Sequence, residues 1–200
     1  MQQNHIPFRN TGYFSSLICD YLDEKSELNQ FYNRFPNLQN FKKQIEEKSH
    51  SKFVSESHRV VLASVLSKQY QNIEASELTL QNIELLKNNN TFTITTGHQL
   101  NLFTGPLYFL YKIVSAINLS KALKQKYPES NFVPVYWMAT EDHDFEEINY
   151  FNFKGKKVNW NKDSSGAVGE LTTDGLEAVF DLLSKELGTT KNADYLKELF

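Results

Sequence analysis

Apolar residues recur at helical spacing through the first ninety positions. Phe14, Leu17, Ile18, Tyr21 and Leu22 form one stripe, and Leu28, Phe31, Tyr32 and Phe35 form a second that stops at Pro36. Weaker stripes follow at Leu38, Phe41 and Ile45, at Val61, Val65 and Leu66, and at Leu80, Ile83 and Leu86. Each predicts a helix with one core-forming face, so residues 1–90 read as a helical segment packing on whatever follows.

The pattern changes after Asn88-Asn89-Asn90. Thr91 to Thr96 reads TFTITT, a β-branched run too short for a helix, which predicts a strand broken by Gly97. Pro106 follows Thr104-Gly105 and suits the first turn of a helix, where its missing N–H has no partner to lose. A long helix is expected to about Lys126. Leu107, Leu110, Tyr111, Val114 and Ile117 form one row, with Phe109, Ile113, Ala116 and Leu119 beside it, so this helix is expected to be largely buried. Tyr127 to Ser130 punctuates the chain, and NFVPVYWMAT, Asn131 to Thr140, predicts a second buried strand, with Pro134 counting against it because proline gives no ladder donor. Strand, crossover helix and strand make a right-handed parallel βαβ unit, which sets the fold class of 91–150 as α/β.

Downstream, Tyr150 to Phe153 and Lys157 to Trp160 flank Lys154-Gly155-Lys156 and predict a hairpin. Asp174 with Glu177 three residues on resembles a capping box, opening a helix that carries Leu176, Val179, Phe180, Leu183 and Leu187 and ends at Gly188. Another amphipathic pattern starts at Asn192 and is still running at Phe200, which reads as a truncated chain.

Composition narrows the function classes. With 200 residues, 40% apolar and 14% aromatic, the chain has the material for a sizeable core rather than for disorder. Its net charge of −3, with Lys and Arg scattered, gives no electrostatic footprint for nucleic acid. Leu107 to Leu123 is interrupted by Lys112, Ser115, Asn118, Ser120 and Lys121, which argues against a membrane span. The N-terminus, MQQNHIPFRN, has no basic stretch followed by an apolar run and does not read as a secretory signal. Cys19, the single cysteine, cannot form an internal disulfide and sits in a packing position, not an activated one. These features predict a soluble cytoplasmic protein acting on small molecules, without nucleic-acid or membrane partners.

In open α/β sheets ligands bind beyond the carboxyl ends of the strands, which singles out the loops after Thr96 and Thr140. The first runs Gly97-His98-Gln99 and then Leu102-Phe103-Thr104-Gly105-Pro106. Gly97 allows a sharp turn and close approach to a ligand, and the helix start offers N–H groups suited to phosphate or carboxylate, to which His98 can add a donor. The alternative is that Gly97 only turns the chain and His98 packs against the helix. Neither a glycine-rich dinucleotide fingerprint nor a P-loop is present. The second loop holds Glu141, Asp142, His143, Asp144, Glu146 and Glu147. An acidic run is usually a solvated turn, but this one abuts Trp137 and Met138 at an apolar strand end, where desolvation perturbs carboxyl groups. Asp142, His143 and Asp144 are candidates to orient an amine or hydroxyl, to act as general base, or to hold magnesium; one histidine among hard oxygens suits zinc poorly. Glu146 and Glu147 either act with this loop or only start the next segment. Lys112, the one charge early in the long helix, either reaches a substrate anion or runs its stem out to solvent. His5, His50 and His58 lack partners at useful spacing and receive no role.

Taken together, TTGHQLNLFTGPLY, a helix containing YKI, and VPVYWMATEDHDFEEIN resemble the signature region of the BshC family over about Thr93 to Asn149. FSSLICDYL and SHRVVLASVLSKQY are similar to the family's N-terminal region, and Gly166-Ala167-Val168-Gly169 resembles the start of its connective insertion. The resemblance implies a Rossmann-like, nucleotidyltransferase-like core over 91–150, preceded by the helical segment 1–90 and followed over 151–200 by the start of an inserted connective domain. It also implies a long coiled coil used for homodimerisation, outside these residues. The activity it implies is a carbon-nitrogen ligase joining cysteine to glucosaminyl-malate, the last step of bacillithiol biosynthesis, with ATP and Mg²⁺ as expected cofactors. Carried over residue by residue are Gly97, His98, Gln99, Thr104 and Gly105 from the first motif and Glu141 to Asp144 from the second. His98, Asp142, His143 and Asp144 are the expected catalytic set; Gly97, Gln99, Thr104, Gly105, Lys112 and Glu141 are expected to bind substrate or nucleotide, with no resident metal. Of the His-x-Gly-His element in related synthetases, Thr95-Thr96-Gly97-His98 keeps only the second half. Two other readings stand beside this one: a metal-dependent hydrolase or transferase using the acidic loop, and an inactive fragment serving as a half-site or structural surface.

Overall fold

The computed structural model describes residues 4–51 and 54–200. The chain forms two compact units, residues 1–75 with 87–90 and residues 76–86 with 91–200.

Helices make up the first unit: α1 (Phe8–Thr11), α2 (Ser16–Leu22), α3 (Phe41–Ser49) and α4 (Glu56–Gln69), with a 3-10 segment over Ser26–Phe31. Their starts follow local side-chain chemistry. Ser15 Oγ accepts from the Ile18 N–H to cap α2, and Ser55 and His58 cap α4 reciprocally, each side chain accepting from the other residue's backbone N–H. His58 thus has a structural role that its Ser-x-x-His spacing carries. In this unit the stripes expected to form core do so only in part, with Tyr32, Phe35, Phe41 and Ile45 half-buried. Leu17, Val61 and Val65 are exposed, and Cys19 and Ala63 are the buried apolar residues among those described in this unit. The second stripe gives a 3-10 segment instead of a helix, and Tyr21, Tyr32 and Phe35 gather in an aromatic cluster with centroids 5.1 to 6.5 Å apart.

The second unit opens with α5 (Glu77–Leu85), capped by Ser76 Oγ on the Thr79 N–H, and continues into β1 (Thr91–Gln99), α6 (Leu107–Lys126) and β2 (Asn131–Ala139). β1 and β2 pair in parallel from Thr91 opposite Asn131 to Gln99 opposite Ala139, so the expected βαβ unit is present. Pro134 stands opposite Ile94, as a strand partnered on one side tolerates. Gly97 does not break β1, which runs three residues further than expected. Pro106 is the N-cap of α6 and not its first residue.

The long helix is not largely buried. Ala116, Ser120 and Leu123, spaced four and three apart, are its buried residues, while Leu107, Leu110, Tyr111 and Val114 are 42 to 62% exposed. One stripe of α6 suffices to cover a two-stranded sheet, and small Ala116 and Ser120 let it lie close, so the apolar row beside it faces outward.

The remainder consists of α7 (Phe145–Ile148), the hairpin β3 (Tyr150–Phe153) and β4 (Lys156–Asn159), α8 (Leu176–Leu187) and α9 (Lys191–Leu199). Lys154 and Gly155 both take positive φ, at 49° and 76°, the conformation that a two-residue hairpin turn requires. No capping box opens α8. Gly175 caps it in a left-handed conformation, Asp174 gives its carbonyl to the Trp160 indole N–H, and its carboxylate accepts from Thr172 and Lys162. Gly188 ends that helix as expected. Leu102, Phe145, Ile148, Trp160, Val168 and Val179 form a buried cluster directly behind the acidic loop. No helix among the described residues is long and apolar enough to cross a membrane.

Candidate functional site

Parallel pairing brings the ends of β1 and β2 to one rim, so the two motif loops emerge side by side. Alternation along a strand then sends neighbouring side chains to opposite faces. His98 turns toward α6, where Phe109 meets its ring edge-on at 5.8 Å and Tyr108 lies at 5.2 Å. Gln99, next in sequence, turns the other way. Its amide Nε2 donates to Asp142 Oδ2 at 2.7 Å and to Glu147 Oε2 at 2.9 Å.

That bridge joins the two motifs. Both hydrogens of the Gln99 amide are spent on carboxylates, and Asp142 Oδ1 also accepts from the Asp144 N–H at 3.2 Å. These bonds, Gln99 first, hold the Asp142 carboxyl below its ordinary range. Glu147, which the sequence leaves between this loop and the next segment, meets Gln99 at the site. α7 explains this: Phe145 and Ile148 are buried three positions apart, which leaves Glu147 on the outer side toward Gln99. Glu141 accepts from the Trp137 indole N–H at 3.4 Å, whereas His143 and Asp144 are exposed. Asp142 and Gln99 are therefore brought together, while His98 lies on the other face of the same strand end.

The acidic loop is fixed from behind. The Val168 N–H donates to Asp142 O at 2.7 Å and the Gly169 N–H donates to Thr140 O at 2.9 Å. A Cβ at Gly169 would lie 2.6 Å from Thr140 Cβ, so only glycine allows this approach. Sequence reading placed residues 166–169 in an insertion and missed this clamp.

Gly97 serves the protein itself. A Cβ there would lie 2.9 Å from Trp137 O and 3.0 Å from Trp137 Cβ, across the β1–β2 pair. Lys112 neither points to solvent nor stands free: its Nζ donates to Gly97 O. It also lines a cavity of about 400 Å³ with Ile94, Thr96, Tyr108, Tyr111 and Ser115. Phe103, Thr104 and Gly105 all have positive φ, at 47°, 69° and 57°. Thr104 is exposed in this strained turn, and Gly105 combines its φ with ψ −149°, a region essentially confined to glycine. A Cβ at Gly105 would meet Asn101 Cβ at 2.7 Å. Asn101, singled out by no composition signal, donates to Gln99 O at 2.9 Å and lies 2.9 Å from His98 Nδ1. Tyr108 Oη lies 2.9 Å from His98 Nε2, and Tyr136 Oη donates to His98 O at 3.2 Å. Burial raises the Tyr136 hydroxyl above its usual range. Among the described residues no three His, Cys, Asp or Glu side chains converge as a metal site.

Residues 1–200 match a family model described as "Bacillithiol biosynthesis BshC, N-terminal Rossmann-like domain". The chain is 65% identical over all its 200 residues to a protein of Flavobacterium johnsoniae, and 62% identical over the same length to one of Flavobacterium psychrophilum. It is 33% identical over 143 residues, 71% of its length, to a protein of Bacillus thuringiensis, covering 26% of that relative. All three carry the name "Putative cysteine ligase BshC". The chain spans 37% and 38% of the two Flavobacterium relatives. With the parallel βαβ core and both motif loops at one rim, this match shows that the chain belongs to the bacillithiol biosynthesis BshC family and carries its Rossmann-like α/β fold.

Proposed function

We propose that the protein supplies the catalytic rim of a ligase that joins the carboxyl group of cysteine to the amine of glucosaminyl-malate, completing bacillithiol. The observation that carries this reading is the Gln99 bridge to Asp142 and Glu147, which couples the two family motifs into one polar site. An ionised carboxylate held by fixed donors is suited to receive and orient an ammonium group, and to accept its proton as the amine becomes nucleophilic. The new C–N bond forms as the acyl–oxygen bond to the leaving group breaks, and the amine proton passes to Asp142 or to water beside it.

ATP would supply the leaving group that turns a carboxylate into an acyl electrophile. The side chains around the cavity suit an anion of that kind. Lys112 keeps two ammonium hydrogens beyond the one given to Gly97 O, and Tyr108 and the first turn of α6 add donors. No three His, Cys, Asp or Glu side chains converge among the described residues, and magnesium is usually held by one or two carboxylates together with substrate phosphates. Magnesium would therefore arrive with the phosphates.

A chimera tests the proposal, with these 200 residues replacing the matching segment of the 65% identical Flavobacterium johnsoniae relative. Supplied with cysteine, glucosaminyl-malate and ATP, it should form bacillithiol with stoichiometric AMP or ADP by mass spectrometry. Product without nucleotide turnover would remove ATP from the account, and no product would remove the ligase.

A further inference from the structure

We infer that Phe103 is a positioning residue: its ring, seated among Phe151, Phe180 and Phe200, holds the first motif loop in a left-handed turn and thereby keeps Gln99 against Asp142 and Glu147. Something must hold this turn. Phe103 sits at φ 47° and ψ 52°, and Thr104 follows at φ 69°. Left-handed backbone brings Cβ too close to the following carbonyl, so bulky or β-branched residues adopt it only where the surroundings over-determine it. Here an aromatic and a β-branched residue adopt it in succession. The Thr104 side chain is exposed and offers little in return, and the turn's own bond, from the Gly105 N–H to Leu102 O at 2.9 Å, is a single one.

The ring of Phe103 supplies the rest. It meets Phe151 edge-on at 5.2 Å and Phe200 edge-on at 5.1 Å, and Phe180 lies tilted at 6.3 Å. All three separations fall where aromatic pairs attract, and one such pair is comparable in worth to the cost of one left-handed residue. Three pairs therefore match two strained residues. The partner rings come from β3, from α8 and from the position after α9. Residues 150–200, which clamp the acidic loop through Val168 and Gly169, thus also seat the loop that follows β1.

Two connections lead from the turn to the site. Gly105 packs against Asn101, where an added Cβ would stand 2.7 Å from both Asn101 Cβ and Cγ, and the Asn101 amide donates to Gln99 O at 2.9 Å. That bond fixes the end of β1 from which the Gln99 side chain reaches Asp142 and Glu147. Leu102, one residue before the strained pair, shares its buried cluster with Phe145 and Ile148, the two anchors of the short helix that carries Glu147. The turn therefore grips the donor of the bridge from one side and one of its acceptors from the other. Phe103 acts through these contacts and not on the substrate. Its effect on turnover rests on the ligase reading above; its hold on Gln99 does not.

Carboxyl titration and turnover test the two separately. In the ¹³C-labelled chain, Phe103→Ala should raise the Asp142 midpoint toward the ordinary carboxyl value, because the Gln99 amide that lowers it loses its place. Phe103→Leu, which keeps the apolar bulk, should raise it less. Phe200→Ala removes one ring of the seat at a side chain already 44% exposed, where folding is not at stake, and should move the midpoint in the same direction. Leu123→Ala, at the opposite end of α6, is the control: it should weaken the fold and leave the midpoint in place. An Asp142 midpoint unmoved by Phe103→Ala, or by Phe200→Ala should the former not fold, overturns the hold, as does an equal shift in Leu123→Ala. In the chimera, Phe103→Ala should lower kcat roughly 10- to 100-fold with KM changed far less, the signature of lost alignment rather than lost binding. A shifted midpoint with wild-type kcat overturns the role in the reaction and leaves the hold. A chimera that makes no product even without substitution removes the ligase reading, while the titration still judges the hold.

Discussion

Replacing Gly169 by alanine should loosen the acidic loop without touching any of its acids. The new Cβ would lie 2.6 Å from Thr140 Cβ, 3.0 Å from Thr140 O and 3.2 Å from Thr140 Cγ2. Carbon atoms prefer 3.5 to 4.0 Å, so Thr140 or the 168–169 segment must retreat by roughly 1 Å. The retreat strains the Gly169 N–H bond to Thr140 O and, one residue back, the Val168 N–H bond to Asp142 O. Overpacking costs about 1–3 kcal/mol and a lost backbone bond about 1 kcal/mol, so the change should destabilise by about 2–4 kcal/mol. Urea unfolding followed by tryptophan fluorescence reads this directly, because both tryptophans, Trp137 and Trp160, lie in the unit that holds the loop. Adding Thr140→Gly removes Cβ and Cγ2, two of the three close atoms, so a double-mutant cycle should recover about 1–2 kcal/mol of coupling. A Gly169→Ala protein within about 0.5 kcal/mol of wild type, or a cycle with no coupling, would refute the clamp.

Gln99→Leu should raise the Asp142 midpoint toward the ordinary carboxyl value, about 3.9, in a ¹³C carboxyl titration. The sign follows from the lowered folded value: the stabilisation is present above the ordinary range and is lost as pH falls through the folded midpoint, so losing Gln99 should reduce it. An unchanged midpoint would mean that Gln99 does not hold Asp142. Leu123→Ala, at a side chain with 0% exposure, should cost about 2–5 kcal/mol, whereas Leu107→Ala, at 61% exposure, should stay within about 0.5 kcal/mol in the same unfolding assay. Equal costs would contradict the outward-facing row on α6.

The βαβ core is legible because its signals are local and agree: a β-branched run, a long apolar helix after proline, and a second apolar strand. The hairpin is legible for the same reason, Lys154-Gly155 supplying the turn. What escapes the sequence depends on partners distant in the chain. Whether Gly97 ends a strand or admits a cross-strand Trp137 is decided by pairing that only the folded sheet supplies. Which row of α6 is buried depends on how much sheet there is to cover, and periodicity cannot state that. Asp174 loses its expected cap because Gly175 becomes the N-cap and the Asp174 carboxylate accepts from Thr172 and Lys162 instead. In the candidate site, the acids and His98 are visible as unusual residues after strand ends. Glu147, Asn101 and Gly169 are not, since each acts through a contact that turns on three-dimensional placement.

The central claim is that the two motif loops form one working unit through Gln99 and Asp142, and the most direct test is a double-mutant cycle on bacillithiol formation by the chimera. If the amide acts by holding the carboxylate, Gln99→Ala, Asp142→Asn and the double variant should each lose turnover, with the double scarcely worse than Asp142→Asn alone. Losses that multiply independently, or a Gln99→Ala enzyme at wild-type rate, would contradict it.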